Sequence, residues 1–261
     1  LSPPTAPALE LLPLNPAGRV FNAHRVVRLG DVDPTARLRL DATSRFLQDV
    51  ATDDAKEARL DGRLGWVVRR TMIEVIAPAR LDEHVELATF CTGIGRSWAE
   101  RRTTIRGAGV DGDKPAAHVE AVSLWVQIDT TTWRPAALTD DFERIYGAAA
   151  AGRRVTARLA LDHETAGADR REPWHVRRTD LDPFDHVNNA ANWSFVEEIV
   201  DWSADDHRDR RGRGEMEFLL PIDRSMSVDV VSATGLDGVS GWLVDGERVL
   251  SAARWTPAPA A

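Results

Sequence analysis

The sequence contains one cysteine, two lysines and no long apolar run, and each scarcity excludes something. Cys91 by itself forms neither an internal disulfide nor a cysteine-based zinc cluster. A lone thiol suits a reducing compartment, so a cytoplasmic location is expected. No stretch approaches the ~20 apolar residues that span a bilayer, so membrane insertion is not expected. Positive charge is also short: 33 Lys and Arg stand against 41 Asp and Glu, and the net charge of −8 argues against nucleic acid as a partner. Lys56 and Lys114 are the only lysines, and with abundant alanine this arginine bias reads as GC-rich coding rather than as function. Nothing resembles a P-loop, a dinucleotide fingerprint or a metal cluster, so no cofactor and no metal are expected.

What is present fits a folded chain: 43% hydrophobic and 28% charged residues over 261 positions, enough for one large domain or two ordinary ones. The opening LSPPTAPALELLPLNPAGRV is proline-rich, without a basic start or a continuous apolar core. It does not read as a signal peptide, and an extended lead-in arm over residues 1–20 is expected.

The most informative feature is an internal repeat. Gly30-Asp31-Val32-Asp33-Pro34 returns as Thr179-Asp180-Leu181-Asp182-Pro183 at an offset of 149 residues (180 − 31). The register continues without a gap through Arg37/His186, Leu38/Val187, Ala42/Ala191, Phe46/Phe195, Leu47/Val196, Gln48/Glu197 and Asp49/Glu198. Each copy opens with a strand-like run, His24–Leu29 and Trp174–Arg178. A helical pattern follows, with Asp41 as the expected cap in the first copy and Asn189 in the second. Strands are then expected at Trp66–Ile76, Val85–Thr92, Trp98–Ile105 and Val119–Ile128. The second set is Glu215–Pro221, Val228–Ala233, Gly241–Val244 and Val249–Trp255. One long helix wrapped by a curved antiparallel sheet, twice over, is an α+β arrangement of two tandem hotdog units. The division into residues 21–150 and 151–261 is expected where Gly147–Gly152 interrupts the pattern.

Thr179-Asp180-Leu181-Asp182-Pro183-Phe184-Asp185-His186-Val187-Asn188-Asn189 resembles the DLDxNxHVNN signature of acyl-acyl-carrier-protein thioesterases. Ala190–Glu198 is similar to the helix that follows it there, and Gly30–Pro34 resembles the GDxDP opening of single-hotdog acyl-CoA thioesterases. The resemblance covers about Phe21 to Trp255. It implies an enzyme that hydrolyses fatty acyl thioesters of acyl-carrier protein or coenzyme A, with a homodimer compatible. Two departures stand out. The family's asparagine is Phe184 here, and a later family acid or cysteine falls near Pro221 and Ile222, with Glu217 and Asp223 close by.

The chemistry is legible in the residues themselves. Thioester hydrolysis needs a base or a carboxylate nucleophile and donors for the developing oxyanion. Asp182 can activate water or attack directly, and His186 can orient it or protonate the departing thiolate. Amides near Val187–Ala190 can receive the oxyanion, with Asn188 and Asn189 fixing the loop. Each of these residues has a plainer use as a cap or turn residue. Asp33 shares the position of Asp182, but Arg37 replaces the histidine. The first copy is therefore read as the acyl-binding half with a degenerate site, and an apolar tunnel between the halves, lined in part by Phe46, is expected. A hotdog dehydratase or hydratase, or a non-catalytic acyl-thioester binder, is the alternative. Cys91 reads as buried rather than nucleophilic. The arginine-rich run His207–Arg213 reads as a solvated loop or as a binding surface for acid or phosphate.

Overall fold

The apolar spacing after the first DxDP loop produces α1, Leu40–Glu57, whose buried residues Thr43, Phe46, Leu47, Val50 and Asp54 fall on one face. The computed structural model describes residues 11–60, 64–109, 115–165, 167–203 and 210–259. The N-cap of α1 is Arg39, which offers no side-chain acceptor, and Asp41 lies in the first turn instead of capping it. The missing acceptor comes from the other half of the chain: Glu197 Oε1 accepts from the Leu40 amide at 2.6 Å. Near its C-terminal end α1 carries Asp54, whose side chain is 1% exposed. Arg19 Nε, Arg101 Nη1 and the Tyr146 hydroxyl donate to it at 2.8, 2.7 and 2.8 Å. A buried carboxylate is tolerable only with such partners.

Strands β1 Phe21–Val26, β2 Leu64–Ala77, β3 His84–Ile94, β4 Trp98–Gly107 and β5 His118–Asp129 follow in the first half. The second half supplies β6 Arg170–Pro173, β7 Gly212–Phe218, β8 Val228–Gly235, β9 Gly238–Asp245 and β10 Arg248–Pro257. Together they form one antiparallel sheet in the order β1-β3-β4-β5-β2-β7-β10-β9-β8-β6. The order reads the same from either edge, which is what a duplicated unit joined about a twofold produces. At the seam β2 pairs with β7, and the ion pairs Glu74–Arg213 (2.7 Å) and Arg70–Glu217 (3.9 Å) are mates under that twofold.

The repeat extends to individual hydrogen bonds. Asp33 N donates to Arg37 O as Asp182 N does to His186 O, and Ala36 N to Asp33 O as Asp185 N to Asp182 O. Arg39 N donates to Asp31 O as Asn188 N does to Asp180 O. Ala36 and Asp185 both hold φ near +60° (63° and 61°), a costly choice for a residue with a Cβ, repeated because the loop shape demands it. Two tandem hotdog units are thus present.

The second unit departs from the first in its helix. Where α1 runs 18 residues, its counterpart is broken into α3, Asn189–Asn192, and α4, Ser194–Ile199, at the fully buried Trp193. Trp193 N bonds back only three residues to Ala190 O, and the Ser194 hydroxyl donates to Ala191 O at 2.7 Å, both of which tighten the turn. The cap there is Asn188, whose Oδ1 accepts from Ala190 N at 2.8 Å, and not Asn189. The opening strands also lie earlier than the pattern suggests. Pro173 ends β6, and the expected Trp174–Arg178 strand leads instead into a 3-10 turn at Arg178–Asp180.

A further helix, α2 at Asp140–Ala150, is not announced by the sequence pattern, which reads its alanine-rich end as an interruption. Thr139 caps it, and its buried Phe142 and Tyr146 pack beside the C-terminal end of α1. It ends at Ala151 (φ 48°) and Gly152 (φ 75°), left-handed positions that turn the chain away. No described helix is long and apolar enough to cross a membrane.

Gly241 on β9 shows how closely the second helix approaches its sheet. A Cβ there would lie 2.4 Å from Ile199 Cδ1 and 2.9 Å from Phe195 Cε2. Gly241→Ala is expected to destabilise the protein by about 1–3 kcal/mol through overpacking. A urea melt of the variant coincident with the parent's would show that this packing is looser than described.

Candidate active site

Both DxDP loops hold a carboxylate in the same cradle, but they use it differently. In the first, Asp33 Oδ1 accepts from Thr35 N (2.8 Å), Thr35 Oγ1 (2.7 Å) and Arg37 N (3.0 Å). Its Oδ2 lies 2.6 Å from Arg210 Nε, and the Asp33 and Arg210 side chains are 6% and 7% exposed. Burial pushes the Asp33 carboxyl up, but the Arg37 amide, the Thr35 hydroxyl and the Arg210 charge outweigh it and hold the group below its ordinary value. Arg210 also binds Glu197 through both arms, at 3.0 and 2.7 Å, and stacks 3.9 Å from the Trp202 ring. This carboxylate is fully engaged.

In the second loop, Asp182 Oδ1 accepts from Phe184 N (2.9 Å) and, at the limit of length, from His186 N (3.4 Å). Its Oδ2 has no hydrogen-bond partner among the described residues, and the residue is half-buried. The His186 ring makes no bond to Asp182. It lies 5.9 Å from the ring of Trp133, which also meets Phe184 edge-on at 5.1 Å. Trp133 comes from the first half, on a turn where Asp129 Oδ1 accepts from Thr131 N and Thr132 N. Nothing in the local pattern around Trp133 signals this meeting, because only the twofold assembly creates it. The segment near Pro221 and Ile222 also reaches the loop: Ile222 O accepts from Val187 N at 2.7 Å, and Asp223 pairs with His186 along the backbone. Hydrogen bonds from the Ser225 hydroxyl and amide, with His186 nearby, hold the Asp223 carboxyl below its ordinary value.

Of the amides from Val187 to Ala190, three are taken: Val187 N by Ile222 O, Asn188 N by Asp180 O and Ala190 N by Asn188 Oδ1. Only the Asn189 amide lacks an acceptor among the described residues, so the expected group of donors narrows to one. Glu217 is not near the site; it faces the linker, accepting from Ala160 N at 2.5 Å and lying 2.7 Å from His163 Nε2. The arginine-rich run does not behave as a solvated loop where it is described. Arg210 is internal and Arg213 pairs with Glu74, while residues 207–209 lie outside the described residues.

A cavity of about 340 Å³ lies within the first half, lined by Ala51 and Ala55 of α1, Leu64 and Trp66 of β2, Trp125 of β5 and Phe142 of α2, among others. It is not the tunnel expected between the halves. There Phe46, Val50, Trp193 and Phe195 belong to one packed core, and Phe46 faces that core instead of the cavity. Large side chains from both helices fill the interface, and this cavity opens beyond it, at the turn of α1 where the small residues Ala51 and Ala55 face the sheet.

Cys91 borders this cavity but is 2% exposed, and burial pushes its thiol up to about 11. About one thiol in a thousand is then ionised at pH 8. A disulfide reagent such as DTNB at pH 8 is expected to leave the native protein unlabelled and to titrate one thiol after denaturation. Rapid labelling of the native protein would contradict this burial.

Two family models match the chain, one described as the acyl-ACP thioesterase N-terminal domain over residues 18–146 and the other as the C-terminal domain over residues 163–236. An uncharacterised protein of Mycobacterium tuberculosis is 29% identical over 193 residues, 74% of each chain. Among solved structures, a Lactobacillus plantarum protein provisionally named an oleoyl thioesterase superposes with a TM-score of 0.76 at 19% identity, covering 94% of this chain and 99% of its own. A 12:0-ACP thioesterase from Umbellularia californica gives 0.69 at 21% identity, covering 92% and 98%. These structural likenesses carry the fold.

Proposed function

The chain belongs to the acyl-ACP thioesterase family, and from that premise we propose that its single working centre is the second-half loop, built on Asp182. The protein is a thiolester hydrolase that releases free acid and thiol. The observation that supports this choice of centre is that Asp182 Oδ2 is free among the described residues, whereas Asp33 Oδ2 is ion-paired with the buried Arg210. Asp182 takes a proton from water as the water oxygen bonds to the thioester carbon, or attacks that carbon itself to form a mixed anhydride that water then hydrolyses to the free acid. The C–S bond then breaks, the thiolate takes a proton from His186, and solvent returns a proton to His186 while Asp182 releases the one it took. The Asn189 amide receives the carbonyl oxygen, with Val187 and Asn188 holding its loop. Phe184, where the family signature has asparagine, contributes an exposed ring against Trp133 and no polar group, and Asp223 meets His186 through their paired backbones.

The acyl chain lies in the first-half cavity, where burying each methylene is worth about 0.8 kcal/mol. On this reading residues 21–150 form the acyl-binding half and 151–261 the catalytic half, preceded by the arm 1–20. The substrate is an acyl thioester of acyl-carrier protein or coenzyme A, met in the cytoplasm. Because Ala55 faces the cavity, Ala55→Leu is expected to shift preference toward shorter acyl chains in a series of acyl-CoA thioesters. An unchanged chain-length profile would remove the acyl tail from this cavity.

Asp182→Asn is expected to abolish most thiol release while leaving the melting temperature unchanged. His186→Ala should cost less, within the ~10²–10⁴-fold range of a positioned acid–base group. Asp33→Asn should leave kcat nearly unaltered. Turnover that survives Asp182→Asn but is lost in Asp33→Asn would move the centre to the first half. A dehydrated or hydrated thioester product, or binding without turnover, would exclude hydrolysis.

A further inference from the structure

The twofold that relates the two loops also relates what each half presents to the other half's loop. At the first site the second half contributes Glu197, which joins the Leu40 amide to Arg210, and Arg210 neutralises both Glu197 and Asp33. The Leu40 amide, both Glu197 oxygens and both Asp33 oxygens there each have a hydrogen-bond or ion-pair partner inside the protein. At the second site the repeat exchanges Leu40 for Asn189 and Glu197 for Gln48, which lies on α1 of the first half. Gln48 is half-buried and has no hydrogen-bond partner among the described residues. The same holds for the Asn189 amide and Asp182 Oδ2. Three groups that are joined to one another or to an arginine in the first copy are unjoined in the second.

The cation is missing as well. Arg210 precedes β7, and the twofold counterpart of that stretch is the start of β2, Leu64-Gly65-Trp66-Val67-Val68, which has no ionisable side chain. Leu64 and Trp66 from this run line the acyl cavity. A carboxylate at position 48 would face Asp182 with no cation between them, a like-charge pair that raises the pKa of at least one partner. A carboxamide avoids that repulsion and supplies N–H donors instead. The replacement of Glu by Gln and the replacement of Arg210 by an apolar strand are therefore two halves of one change.

We infer that Gln48 is a catalytic residue supplied by the first half to the second-half centre. Its Nε2–H donates to the thioester carbonyl oxygen in the space that Arg210 fills at the first site. Substrate thus satisfies the groups that the protein leaves unpaired. The first site, with the same loop, is closed because Glu197 and Arg210 occupy the positions that substrate takes in the second. The inference rests on the reading of Asp182 as the working centre.

The test uses the full-length protein and an acyl-CoA thioester that the parent hydrolyses. Gln48→Ala is expected to lower kcat by roughly 10²–10³-fold, as for other lost oxyanion donors, with KM changed far less and the melting temperature unaltered. Gln48→Glu should move the acid limb of the kcat/KM profile to higher pH, whereas Gln48→Ala should not. A readout independent of turnover is the Asp182 carboxyl titration followed by ¹³C NMR, which should rise in Gln48→Glu. Parent-like kcat in Gln48→Ala, or an Asp182 titration unmoved in Gln48→Glu, would overturn the inference. If Asp182→Asn retains full turnover, the underlying assignment of the centre fails instead. Loss in Asp182→Asn with none in Gln48→Ala leaves that assignment standing and rejects only the role of Gln48.

Discussion

The antiparallel pairing of β2 with β7 is the constraint on which the molecule depends. It joins two five-stranded half-sheets into one sheet and fixes the local twofold, on which the Glu74–Arg213 and Arg70–Glu217 pairs lie as mates. Once that seam is set, the helices of both halves share one interface, and each DxDP loop faces residues of the opposite half. The tertiary cap on α1 follows from it, since Arg39 has no side-chain acceptor and Glu197 supplies one from across the interface. So does the contact of Trp133 with Phe184 and His186.

Within this symmetric frame the two halves have moved apart in opposite senses. The first loop has gained internal partners: a buried arginine, a second acid and an aromatic cover. Such a network favours folding only while it is complete, because removing one member leaves an uncompensated buried charge. Among the described residues, the second loop has kept an unpaired carboxylate oxygen and an unpaired amide, which cost stability. The helices diverge likewise. α1 is long and continuous, and its C-terminal half, with the Asp54 network and α2, shapes the cavity. The second helix is short, broken at Trp193 and packed tightly against β9. A duplicated unit has thus diverged into a half that encloses a cavity and a half whose loop carboxylate keeps a free oxygen, joined by one seam.

Much of this was legible in the chain itself. The offset of 149 residues, the strand pattern and the DxDP–helix grammar follow from short-range periodicity, and the structure repeats them down to single hydrogen bonds. The family resemblance rested chiefly on the loop and the helix after it, and the loop's shape is set locally by residues such as Asp182, Asp185 and Asn188. The sequence determined these because strand alternation, helix spacing and loop hydrogen bonds all act within a few residues of one another. Other features had no local signal. The alanine-rich end of α2 reads as a break, the cap of α1 lies 157 residues away, and the cavity exists because Ala51 and Ala55 happen to face Trp66 and Phe142. Only the tertiary structure decided which of two equivalent aspartates is free. That choice depends on Arg210 and Glu197 arriving from the far half, and contacts across a twofold interface leave no periodic mark on the residues that make them.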